Sequence, residues 1–294
     1  MKLRFPAPLV RVSPLIFVST LFSKADPALS QASNIIPDNT LGEESSQVIE
    51  NFNEQPIEVI TGGAQREQNL FHSFQEFNVS EGRGAYFESP NVDVQNIFSR
   101  VTGNNPSEIM GVLGTFGESN PDLYLINPNG IIFGEQSSLD VGGSFTATTA
   151  EGIEFSEGGF FSAAAPGESL LTISVPMGLQ FGSSPGNIIN RSFVTDNTGD
   201  FVGLQVPSGE NLTLVGGDVS FEAGEATARG GNIYLAGLGA AGTVGLSDDG
   251  SLSFPNNIAK ANIDIINFSD VDVKGSGGGN ITINAQKLMT HCRQ

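Results

Sequence analysis

The sequence predicts an all-β fold, and among all-β architectures a parallel β-helix. Three observations predict it. The stretch from Asn69 to Ala150 has no helix-length apolar period. It breaks into short pieces such as Ala85-Tyr86-Phe87, Val92-Asp93-Val94, Leu123-Tyr124-Leu125-Ile126 and Ser144-Phe145-Thr146, each fenced by Gly, Asn, Pro or Ser. The composition is rich in turn residues, with Gly 37 and Pro 15 and no Trp, while Phe 21 is enough to furnish a core. Finally, a unit recurs: Gly216-Gly217-Asp218 before Val219-Ser220-Phe221, Gly230-Gly231-Asn232 before Ile233-Tyr234-Leu235, and Gly278-Gly279-Asn280 before Ile281-Thr282-Ile283.

A double Gly, a polar residue and an alternating run read as stacked coils, with loops inserted where the spacing lengthens from 14 to 48 residues. A single coil cannot bury its apolar side, and stacking at about 4.8 Å per layer gives every backbone group a partner. Coils of about 20–25 residues would make a rod on the order of 50 Å long. A β-sandwich is the alternative that these patterns leave open.

At the chain start, Lys2, Arg4 and Arg11 precede the apolar run Pro14 to Phe22, which is short for a membrane span and suits an export signal. Ala28-Leu29-Ser30 places small residues before a cut at Gln31. Residues 31–68 follow as N-terminal cap strands, including Gln47 to Glu50 and Pro56 to Ile60. A cap at the open end of a sheet stack shields edge hydrogen bonds from other chains. The segment Gly62 to Phe74 is the one place where a helical turn is expected, because Leu70, Phe71, Phe74 and Phe77 are spaced by three and four.

Residues 69–182 are read as the core of the domain, with Val92, Val94, Ile97 and Phe98 as inward groups, and residues 183–294 as further coils. At the centre, Asn127-Pro128-Asn129-Gly130 joins two apolar strands through a stiff corner. Pro presets the second turn position, and Asn and Gly accept the next two.

Charge narrows the function. Lys+Arg 13 against Asp+Glu 32 gives a net charge of -19, and no basic residue lies between Arg100 and Arg191. A phosphate-binding surface needs clustered cations, so no nucleic-acid partner is expected. A basic partner surface, divalent cations or solubility alone would suit the acidity.

The chain shows no catalytic, cofactor-binding or metal-binding constellation. Asp93, Asp122, Asp140, Asp196, Asp200, Asp218 and Asp264 could serve a polysaccharide enzyme if two converged on one cleft. Most sit in corner-like contexts. His72 has only His291 as a possible companion, and zinc needs three or four ligands, so His72 is read as a buried structural residue. The single Cys292 excludes an intramolecular disulfide.

An ordered set of motifs then resembles the secretion domain of two-partner secretion exoproteins, the filamentous haemagglutinin family, in the style of its cyanobacterial members. The set comprises Asn69 to Phe74, Phe77-Asn78-Val79, Val94 to Ile97, Arg100-Val101-Thr102-Gly103, Asn127 to Gly134 and Gly142 to Phe145; Val175 to Gly182 and Leu214 to Val219 extend it. The resemblance implies a right-handed parallel β-helix with an N-terminal cap and extra-helical strands. It also implies a non-enzymatic export address and folding nucleus, recognised by the periplasmic domains of a cognate outer-membrane pore.

On this reading the protein is transiently periplasmic and then secreted or held at the cell surface. It is a monomer, without a cofactor, with a host or cell-surface glycan or protein as a further possible partner. Asn69, His72, Phe74, Asn127, Pro128, Asn129 and Gly130 become recognition or cap-supporting residues. Family members are usually longer, so a fragment or truncated product is an open expectation. Two alternatives remain: an exported adhesin-like binder, and a β-helical polysaccharide lyase or hydrolase.

Overall fold

A computed structural model describes residues 31–169, 171, 175–247, 249–255 and 258–290. The expected export signal, His291 and Cys292 lie outside these residues. Short strands dominate, and they wind into a parallel β-helix of three faces. Each coil visits the first, second and third face in that order. In the second coil, for example, the strands are Gly84–Ser89, Asn96–Val101 and Ser107–Ile109.

The second face is the longest. Its parallel strands, among the described residues, are Asn69–Asn78, Asn96–Val101, Asp122–Ile126, Phe145–Thr148, Leu212–Gly216, Ile233–Gly237 and Ile281–Asn284. Successive register partners Leu70, Ile97, Leu123, Phe145, Leu212, Ile233 and Ile281 are separated by 27, 26, 22, 67, 21 and 48 residues. Six steps of about 4.8 Å make a stack of about 29 Å, shorter than the rod read from the sequence. The difference is chain spent outside the helix. Both long intervals contain an excursion that leaves at the corner between the second and third faces.

Those excursions form an antiparallel sheet of their own. Phe160–Ser162, Gly152–Phe155, Pro176–Phe181, Gly242–Leu246 and Leu252–Ser253 pair in that order. They cover the outside of the second face, which is therefore buried on both sides. Leu70, Ile97, Leu123, Phe145, Leu212 and Ile233 point into the helix lumen, where they meet Phe87 and Leu113 of the first face and Phe133 and Phe221 of the third. Alternate residues Phe71, Phe98, Ile126 and Val215 point outward against Ile153, Phe161, Leu179 and Val244.

The N-terminal end is closed by antiparallel strands. Asn34–Pro37 pairs with Phe74 to Asn78, Ala64–Arg66 pairs with Asn69 to Phe71, and Ser46–Ile49 pairs with Val59 to Gly62. No helical turn occupies Gly62 to Phe74. The segment turns at Glu67, where φ is +50, and enters the strand Asn69–Asn78. A strand buried on both faces is apolar at odd and even positions alike, and that run mimics helical spacing.

Two other expectations change. Val92-Asp93-Val94 is a turn, held by the Asp93 amide on Asn91 Oδ1 at 3.0 Å, so Val92 is 70% exposed while Val94 is buried. The three double-Gly units are not equivalent either. Gly230-Gly231-Asn232 and Gly278-Gly279-Asn280 both enter the second face, whereas Gly216-Gly217-Asp218 leads into the third. The 14-residue interval crosses one coil rather than repeating it.

Candidate recognition surface and its supporting network

Where each coil enters the second face, polar residues form a ladder. Asn96 Nδ2 donates to Asn69 Oδ1 at 3.0 Å, Ser144 N to Asp122 Oδ1 at 2.7 Å, Asn232 Nδ2 to Asn211 Oδ1 at 2.9 Å, and Asn280 Nδ2 to Asn232 Oδ1 at 3.1 Å. Asn69 is thus the first rung of this ladder. His72 and Phe74 follow on the same strand and face the lumen. Both are fully buried, and the His72 ring lies 5.2 Å from that of Phe87. His72 Nδ1 meets Ser46 Oγ at 3.0 Å, which ties the first-face cap strand to the second face. Burial pulls the His72 pKa down to about 3, so the ring is neutral at ordinary pH.

The Asn127–Gly130 corner lies where the third coil passes from the second face to the third. Asn127 is buried. Its Nδ2 donates to Asn105 O and Ser107 Oγ, both at 3.0 Å, and its Oδ1 accepts the Asn129 amide at 3.0 Å. Asn129 is exposed and donates through Nδ2 to Gly103 O at 2.8 Å. Gly130 adopts φ +125, which disfavours other residues. Gly186 of the next layer sits so close that a Cβ there would lie 2.4 Å from Asn129 C. The corner is therefore a spacer stacked between layers.

Replacing Asn127 by Ala should cost about 1–3 kcal/mol, because it strands buried polar groups, whereas Asn129→Ala should cost about 0.5 kcal/mol. Urea denaturation of both variants checks this; a larger loss for Asn129→Ala overturns the assignment of the buried rung.

The sequence reading gave no role to the Arg100 side chain. Arg100 is fully buried at the junction of the cap, the second face and the outer sheet. Its Nε donates to Ser73 Oγ at 2.8 Å, Nη2 to Thr40 Oγ1 at 2.7 Å, and Nη1 to Ser162 O at 2.6 Å and to Ser169 Oγ; the guanidinium lies 4.3 Å from the centre of the Phe161 ring. Ser73 and Thr40 in turn donate to Asp38 at 2.8 and 2.6 Å, and Thr102 donates to it at 2.6 Å. Two hydroxyls thus relay one buried cation to one carboxylate.

Burial pushes the Asp38 carboxyl up, but the hydroxyls of Thr102, Thr40 and Ser73 outweigh it and hold it below the usual range. Burial lowers the Arg100 pKa to about 10, against the pull of Asp38. A buried ion pair joins Glu58 and Arg83, with Arg83 Nη2 also on Asn51 Oδ1 at 2.8 Å. Only one Glu58 oxygen is used; Oε2 has no partner.

The carboxylates considered for catalysis are scattered over the molecule. Asp140 takes the Tyr86 hydroxyl on the first face, Asp218 takes the Asn262 amide at a corner, and Asp196 and Asp200 share one surface turn with Thr198.

A family model described as the TPS secretion domain matches residues 33–283, nearly the whole of this β-helix and its cap. The chain belongs to the TPS secretion domain family. TPS secretion domains are non-catalytic export domains of two-partner secretion, recognised by a cognate outer-membrane transporter through which their exoproteins are secreted.

Among solved structures, the HMW1 secretion domain from Haemophilus influenzae aligns with a TM-score of 0.55 at 20% identity, covering 89% of this chain and 57% of that one. At that identity the likeness speaks for the fold. A filamentous hemagglutinin secretion domain aligns with a TM-score of 0.41 at 14% identity, covering 87% of this chain and 97% of that one. The heme/hemopexin-binding protein of Haemophilus influenzae is 34% identical over 87 residues, which is 29% of this chain and 9% of that protein. The chain thus matches a small part of that curated relative.

Proposed function

We propose that this TPS secretion domain is the export address of an exoprotein, read in the periplasm by the soluble domains of its outer-membrane pore, and the folding nucleus of the β-helix behind it. The family match over residues 33–283 carries this reading. The cap supports it in detail. Strands Asn34–Pro37 and Ser46–Ile49 end their sheets, and Ile36 and Ile49 on them are exposed large apolar residues. A partner strand added there would gain main-chain hydrogen bonds, with side-chain pockets supplying selectivity.

The candidate residues divide by burial. Asn69, His72, Phe74, Asn127 and Gly130 hold the cap and corner in shape, whereas Pro128 and Asn129 reach the surface and are the contact candidates of the set.

The test is secretion of a signal-bearing chain in cells with and without the candidate pore, with periplasmic and external fractions assayed together. Pore-dependent appearance outside is the expected result. Equal export without the pore overturns the reading and favours an independently exported binder.

A further inference from the structure

A cavity of about 690 Å³ lies between the outside of the second face and the loops of the outer sheet. Two carboxylates meet in it. Ser144 joins them, its amide donating to Asp122 Oδ1 at 2.7 Å and its hydroxyl to Glu210 Oε2 at 2.8 Å. Among the described residues the remaining oxygen of each takes no donor, and no Lys, Arg or His lines the cavity. Tyr124 lines it too. That residue is only 7% exposed, its ring stacks on Phe98 at 4.7 Å, and its hydroxyl has no hydrogen-bond partner among the described residues.

Two adjacent carboxylates without a cation cost free energy, and the Tyr124 hydroxyl on the cavity wall can accept a further donor. One ligand group serves both. An ammonium donates up to three hydrogen bonds and is attracted to carboxylates and to the face or hydroxyl of an aromatic ring.

We propose that this cavity binds a protonated primary amine, with Asp122 and Glu210 as its counter-charges and the Tyr124 hydroxyl as a third contact. The amine has two chemical sources, a lysine side chain of an extended peptide or an amino sugar, and the test separates them. The proposal goes beyond the export role and stands without it.

Among the described residues four titratable groups face the cavity: Asp122 and Tyr124 on the second face, Glu210 from the loop before Asn211, and Asp249 from the outer sheet. Burial and the charge of Glu210 raise the Asp122 pKa to about 6 even though the Ser144 amide opposes them, and burial and Asp122 raise that of Tyr124. Hydrogen bonds from Ser251 hold Asp249 below the usual range. The second negative charge at Asp122 is therefore present at neutral pH and lost below about 6, so amine binding should weaken on acidification.

Calorimetry on the full chain tests this with four probes: a tri-lysine peptide, a glucosamine trimer, and the N-acetylated form of each. Binding of at least one amine with a Kd below about 1 mM, with its acetylated form at least about tenfold weaker, is the expected result, about 1.4 kcal/mol of discrimination. Whichever amine binds names the source. Affinity should fall at about pH 5 relative to about pH 7.5.

The double variant Asp122→Asn with Glu210→Gln keeps the Ser144 hydrogen bonds and should lose at least about tenfold; Tyr124→Phe, which keeps the ring, should lose about threefold. Equal binding of acetylated probes, unchanged affinity in the double variant at unchanged melting temperature, or heat with calcium but with neither amine would overturn the proposal. If the double variant fails to fold, the acetylated probes, the pH series and Tyr124→Phe still decide it.

Discussion

Arg100→Met should lower the unfolding free energy by about 1–3 kcal/mol, because it removes the donors of a buried junction and leaves the half-buried Asp38 without its nearby cation. Asp38 stays behind with Thr40, Ser73 and Thr102 as donors. Two of those hydroxyls also lose the guanidinium that they accept from. The carbonyl of Ser162 loses its donor as well, which loosens the outer sheet from the second face.

Denaturant midpoints for Arg100→Met, Asp38→Asn and the double variant measure the effect. The double variant should be less unstable than the sum of the singles by about 1–3 kcal/mol. Additive single effects, or a loss below about 1 kcal/mol for Arg100→Met, would show that hydroxyls and water support the junction without the charge pair.

The second large effect is acid sensitivity at His72. Its folded pKa, about 3, lies below the ordinary value of 6.5, so the fold prefers the neutral ring. The contribution to stability is complete above pH 6.5 and is lost as pH falls from there toward about 3. Across that window the loss is about 1.4 kcal/mol per pH unit.

Asp122 works in the opposite direction. Its raised pKa means that its favourable contribution is present at low pH and lost as pH rises through about 6. The wild-type profile is therefore a sum, and His72→Gln isolates one part of it, since Gln can keep the bond to Ser46 without titrating. The stability difference between wild type and His72→Gln should be flat above about pH 7 and shrink as pH falls. A difference that stays flat down to about pH 4 would mean that protonated His72 finds water or a partner in the lumen.

Much of the fold was legible because its rules are local. The alternation in Asn211 to Phe221 marks strands, Asn127-Pro128-Asn129-Gly130 marks a corner, and Gly230-Gly231-Asn232 marks entry into the second face. The expected helical turn has one physical source, the burial of the second face on both sides. It turned Asn69–Asn78 into an apolar run with helical spacing, and the outer sheet responsible for it comes from residues far along the chain.

The candidate site was half legible. His72 could be read as buried because it lacks metal-ligand companions. Arg100 could be noted only as part of a motif, since its partners Thr40 and Ser162 lie 60 and 62 residues away. Glu58 and Arg83 are nearer in sequence, but nothing local says that both turn inward. The pairing of Asp122 with Glu210 depends on the excursion that brings Asn211 back into register with the fourth coil.

Both long departures from the helix leave at the corner between the second and third faces, and the next strand resumes in register. Polymer entropy makes such detours cheap: lengthening a connection from four residues to about forty adds only about 2 kcal/mol of closure cost. At that corner the fourth and sixth coils can therefore vary in length and sequence, while the same corner of the third coil, Asn127 to Gly130, is stacked against Gly186 and stays short. An engineered epitope or reporter inserted at the exposed turn Gly158, where an added Cβ would meet nothing within 4 Å, would only lengthen an excursion that the scaffold already carries.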